Sequence, residues 1–154
     1  MSVILAGAVL IGGVLAEIVA PGPVTLLTGA DFAVGAGYAA VGAWLLRVGP
    51  GGRDTVGGWL ALAVSAAWFV GTAAAALPAA LPSYGAGVAV LGYRAMLTHM
   101  LLHSLNHQRA SSRRGAMGTR LVIPLCYAAV LLPVPADGFV TAGLMAALAV
   151  LAGL

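Results

Sequence analysis

Polar and charged positions along this chain collect into a few short stretches, and between them apolar residues continue for 16 to 23 positions at a time. The apolar runs cover 3–19, 29–46, 56–76, 84–106, 119–134 and 138–154. A helix needs roughly 17 to 25 mostly apolar residues to cross a bilayer, so each run predicts a spanning helix, the first and the last two near the lower limit of length. The strands of a membrane barrel would alternate lipid-facing and lumen-facing residues, and these runs do not alternate. The expected fold is therefore all-α: one membrane domain over 1–154, a polytopic bundle of about six transmembrane helices.

Proline and glycine mark the boundaries between runs: Pro21-Gly22-Pro23, Gly49-Pro50-Gly51-Gly52, Pro78 and Pro82, and Pro133 and Pro135. These residues end helices and make turns. Pro124 falls inside the fifth run, where it kinks the helix unless the helix begins there. The first run lacks the basic start of a secretion signal, and Ile18-Val19-Ala20 is a poor cleavage site, so it is read as a membrane anchor. Gly29, Ala33 and Gly37, at four-residue spacing, suit a close helix contact such as a homodimer face.

Composition agrees with the pattern. With 62% hydrophobic and 7% charged residues among 154, too little polar surface is present for a water-soluble domain, and the partner implied is the lipid bilayer. All seven basic residues are arginines, and six lie in two stretches: Arg47 and Arg53, then Arg109, Arg113, Arg114 and Arg120. Basic residues in short loops favour the cytoplasmic side. Loops 47–55 and 107–118 are therefore expected inside, while 20–28, 77–83 and 135–137, which lack basic residues, are expected outside. Both termini then face the cytoplasm. The net charge of +3 does not argue for nucleic acid, because the arginines flank apolar runs without interleaved aromatics.

The seventh arginine, Arg94, lies inside the fourth run. A charge near the centre of a membrane helix costs at least about 2.5 kcal/mol and normally has a partner. The nearest carboxylates are Asp31, at the outer start of the second run, and Glu17, at the outer end of the first. The alternative is a helix that starts nearer Tyr93, with Arg94 reaching up to the outer interface. His99, His103 and His107 share one face of the same helix at four-residue spacing. With Met96 and Met100 nearby, that face suits copper or haem as the alternative to a chain with no metal and no cofactor. Against a metal, no Asp, Glu or Cys lies close in sequence to complete a site. Cys126 is a lone thiol in an apolar run.

Other chemistry is not assembled. The glycine-rich stretch from Gly49 to Thr55 lacks the Gly-Lys-Ser/Thr ending of a phosphate loop and reads as a turn. Ser104, Ser111 and Ser112 have histidines near them but no carboxylate to orient a base. No catalytic residue is expected. Trp44 and Trp59 flank the first basic stretch, as an interfacial aromatic belt does.

A pattern spreads over roughly 28–150: Asp31-x3-Gly35, Gly42-x-Trp44, Gly49-Pro50-Gly51 with Arg53, Gly57-x-Trp59-Leu60-Ala61-Leu62-Ala63, and Ala67-Trp68-Phe69-x-Gly71-Thr72. The chain continues with Tyr93-Arg94-Ala95-Met96-Leu97-Thr98-His99-Met100-Leu101-Leu102 and with Cys126-Tyr127-Ala128. Together these resemble the amino-terminal membrane region of bacterial sensor histidine kinases of the high-GC, actinobacterial type. Arg94 and His99 match that pattern most clearly. Asn106-His107-Gln108-Arg109 replaces the family's Pro-x-Gly-Arg-Leu, and the kinase portion is absent from these residues. The resemblance implies a multi-pass protein of the bacterial plasma membrane, without catalysis of its own, that relays a membrane or extracellular signal to a cytoplasmic kinase module. Arg94, His99, Asp31 and Glu17 are then the candidate polar contacts. A small transporter, or a metal- or haem-handling protein using His99, His103 and His107, is the rival. A transporter needs a polar path through several helices, whereas the intramembrane polarity in this sequence concentrates on the fourth run.

Overall fold

The computed structural model describes residues 2–19, 26–48, 55–76, 83–108 and 113–131, together with 143, 146, 147 and 150. The described residues form five α-helices: α1 (Ser2–Val19), α2 (Leu26–Val48), α3 (Thr55–Ala76), α4 (Ser83–Gln108) and α5 (Arg113–Leu131). Three of them contain segments long and apolar enough to cross a membrane, Thr28–Val48, Thr55–Ala75 and Gly85–Leu105; Ile4–Ile18 and Val122–Leu131 are shorter apolar stretches. The fold is all-α as expected. Positions 143, 146, 147 and 150 of the sixth run are helical. The rest of that run, the proline- and glycine-marked boundaries at 21–23, 49–52, 78, 82, 133 and 135, and the side chains of His107, Arg113, Arg114 and Arg120 lie outside the described residues.

Most helix limits fall within three residues of the expected ones. The fifth differs, starting at Arg113 instead of 119 and ending at Leu131 instead of 134. Arginine, alanine and methionine are good helix formers, so the basic stretch continues the helix instead of interrupting it. Pro124 is thus well inside α5, where its ring removes the bond to the carbonyl one turn back.

Residue size sorts the two sides of these helices better than polarity does. The buried apolar side chains are mostly small, among them Ala6, Ala16, Ala39, Ala61, Ala74, Ala95 and Ala129, whereas Ile4, Ile11, Ile18, Val34, Val70, Leu101 and Leu125 are exposed. Ile4, Ile11 and Ile18 stand seven residues apart and make one outward stripe on α1. Large apolar residues outside and small ones inside is the arrangement a lipid solvent favours, because close backbone approach replaces hydrophobic burial as the attraction between helices.

Consecutive helices pack as antiparallel neighbours. Along the α2–α3 seam the register reads Gly42 against Gly58, then Ala39 near Leu62, Gly35 against Ser65 and Phe32 against Phe69. Methyl groups on Gly42 and Gly58 would lie 2.9 and 3.2 Å from the partner glycine's carbonyl oxygen, so neither position has room for a side chain. Along α3–α4, Gly71 meets Ala89 and Val90, Trp68 meets Tyr93, and Gly57 lies beside His103. α1 also packs on α3. Phe69, 4% exposed, directs its ring tip at both Gly13 of α1 and Gly35 of α2, where added Cβ atoms would stand 2.6 and 2.5 Å from Cζ.

Candidate functional site

Polar side chains occur in the seams between helices. At the α2–α3 seam, Ser65, wholly buried, donates its hydroxyl to the Gly35 carbonyl at 2.7 Å. Two turns further along α3, the Thr72 hydroxyl donates to Asp31 Oδ2 at 3.0 Å and also lies 3.3 Å from the Trp68 carbonyl oxygen. Glu17 on α1 is set against Asp31, and its Oε1 is buried with no hydrogen-bond partner. Glu17 and Asp31, which the sequence offered as alternative partners for Arg94, lie against each other, with Thr72 as the third member. That hydroxyl was not singled out from the sequence; the available signal was its seven-residue spacing from Ser65 on an otherwise apolar helix, which puts both on one face.

Arg94 lies eleven residues into α4 and inside the apolar segment Gly85–Leu105. A helix beginning near Tyr93 is therefore ruled out: α4 begins at Ser83, ten residues earlier. Arg94 Nε donates to Tyr93 Oη at 3.4 Å, and the guanidinium carbon stands 5.9 Å from the centre of that ring. Tyr93 in turn meets Trp68 edge-on, with centroids 4.6 Å apart. A ring face carries partial negative charge and attracts a cation, so the aromatic pair gives the guanidinium an apolar but electrostatically suitable neighbour. Trp68 Nε1 is buried without a hydrogen-bond partner. One turn below Arg94, buried Thr98 donates its hydroxyl back to the Arg94 carbonyl at 2.9 Å.

His99 faces α5. Its Nδ1 is 3.2 Å from Tyr127 Oη, and the two rings meet at 87° with centroids 5.9 Å apart. This layer lies between two apolar ones. Ala95 packs with Val130 on one side, and Leu102 with Val122 and the buried thiol of Cys126 on the other. His103 turns elsewhere, its ring 4.0 Å from where a Cβ on Gly57 of α3 would be. The shared face that suggested copper or haem thus divides between two neighbouring helices, and among the described residues no group of three or more His, Cys, Asp or Glu gathers. Intramembrane polarity is not confined to α4, contrary to the count from sequence. It also joins α2 to α3, through Ser65 and Gly35 and through Thr72 and Asp31.

Among the described residues, five helices with three membrane-length apolar segments, joined through interhelical polar contacts, define a helical bundle of membrane type. Comparison with protein-family models, curated proteins and solved structures finds no match.

Proposed function

We propose that this chain is the membrane sensor module of a two-component histidine kinase system, a six-span bundle of the bacterial plasma membrane with both termini on the cytoplasmic side. It catalyses no reaction itself. A signal in the membrane or at its outer face shifts helix packing, and the shift biases a cytoplasmic kinase module. The observation that carries this reading is the set of polar contacts, Asp31 with Thr72 and His99 with Tyr127, each placed between helices in otherwise apolar seams. Contacts of this kind have two discrete arrangements, made and broken, and an element of two states is what a relay requires.

The antiparallel register supports the proposed orientation. Alternating helices bring the end of α2, with Arg47 and exposed Trp44, to the same end of the bundle as the start of α3, with exposed Trp59, and the junction of α4 with α5. An orientation with that end inside puts Arg47 and the arginine-bearing start of α5 on the side that basic residues favour.

The test is autophosphorylation of the kinase module encoded in frame with, or beside, this chain, assayed in membrane vesicles. Arg94→Ala and His99→Ala are expected to change the basal or stimulated rate at least about threefold, the effect of a population shift near 0.7 kcal/mol. Unchanged signalling in both variants, or the lack of any kinase module in those positions, overturns the reading.

A further inference from the structure

The α4–α5 seam is built as three layers: apolar, polar, apolar. Ala95 and Val130 form the first, His99 and Tyr127 the second, and Leu102 with Val122 and Cys126 the third. The polar layer is also the one that can change charge near neutral pH, because an imidazole titrates there and no other ordinary side chain does. Three turns before the Val130 layer α5 carries Arg120, and between them stands Pro124, exposed and lacking a backbone donor. α5 therefore has a weakened point next to the layer that binds it to α4.

We infer that the His99–Tyr127 pair is a proton-operated latch between α4 and α5, closed when the imidazole is neutral and released when it is protonated. In the neutral ring one nitrogen is an acceptor, so Nδ1 can accept a hydrogen bond donated by the Tyr127 hydroxyl. In the cation both nitrogens carry hydrogens and can only donate. The bond must then reverse, and a full charge is placed between two apolar layers, where burial without a counter-charge is costly. Among the described residues, neither α4 nor the two helices packed against it, α3 and α5, carries a carboxylate. On α4 the neighbours are His103, one turn away, and Arg94; on α5 they are Tyr127 and the neutral thiol of Cys126; α3 has no ionisable residue between Thr55 and Ala76. Release lets the part of α5 beyond Pro124 swing away from α4. This device rests on the sensor reading for its biological use, but not for its physics.

It is tested by the distance between spin labels on Leu101→Cys and Leu131→Cys, exposed sites on α4 and on the part of α5 beyond Pro124, in a Cys126→Ala background and lipid nanodiscs. The expected result is one narrow distance distribution at about pH 8 that shifts or broadens by about pH 5. His99→Gln, which keeps polar atoms at the position and does not titrate, abolishes the shift, and His103→Gln preserves it. Tyr127→Phe keeps the ring in the seam but removes the hydroxyl, and broadens the distribution already at the higher pH. A distance unmoved by pH in the unsubstituted latch, or a shift that survives His99→Gln, overturns the proposal. The isolated protein gives this reading without a kinase, so failure of the latch and failure of the sensor role are separate results.

Discussion

Thr72 on α3 donates its hydroxyl to Asp31 on α2 at 3.0 Å, two turns along from the point where Ser65 donates to the Gly35 carbonyl. One helix thus holds its neighbour by a side chain at one level and by a backbone acceptor at another. Interhelical hydrogen bonds in membranes average about 0.6 kcal/mol and reach about 1.7. A double-mutant cycle with Asp31→Asn and Thr72→Val, read by reversible unfolding in bicelles, is expected to show coupling of about 0.5–1.5 kcal/mol. Strictly additive losses would remove the bond from the account of stability.

Phe69 gives a sharper steric expectation. Its ring tip is already in the space that a methyl on Gly13 or Gly35 would need, and moving away from one glycine drives it toward the other. Gly35→Ala should lower stability by roughly 1–3 kcal/mol, as overpacking does. Adding Phe69→Leu should recover part of that loss. Thermal unfolding of the single and double variants in detergent decides it; a double variant no better than the sum of its parts contradicts the geometry.

Gly42 and Gly37 lie on the same helix but have different surroundings. An added Cβ at Gly42 meets the Gly58 carbonyl and the Leu62 backbone nitrogen, which cannot rotate aside, whereas one at Gly37 meets nothing within 4 Å. Gly42→Ala should separate α2 from α3 and cost more than about 1 kcal/mol, while Gly37→Ala should be neutral or slightly stabilising. Comparable melting temperatures for the two variants would count against this seam.

The proposed orientation has its own measurement. In a Cys126→Ala background, cysteines placed at Arg53 and Arg109 are expected to react with a membrane-impermeant maleimide only after cells are opened, because basic loops stay inside. Cysteines at Pro23 and Ala79 are expected to react in intact cells. The opposite pattern inverts the topology.

The helices themselves were legible in the sequence because lipid demands long uninterrupted apolar segments. How each helix is rotated was not. A soluble helix announces its buried face by polarity, but here both faces are apolar, so the distinction falls to size: Gly13, Gly35 and Ala39 turn inward while Ile11, Val34 and Val41 turn outward. For the same reason His99 was identified as a polar residue of interest but not its partner Tyr127, 28 positions away on another helix. The sequence singled out Asp31 and Glu17 as carboxylates for Arg94 but not as neighbours of each other; that contact, and the hydroxyl of Thr72 between α2 and α3, required the fold. The start of α5 was missed because arginines that suggested a loop are equally good helix residues.

The ring of Phe69 touches the space of two glycines on two different helices. It therefore works as a common pivot: α3 cannot turn about its own axis without pushing on α1 and α2 together, and neither of those can slide without displacing the same ring. One side chain thus ties three helices into a single steric layer, so a change of size at Gly13, Gly35 or Phe69 is felt by α1, α2 and α3 together.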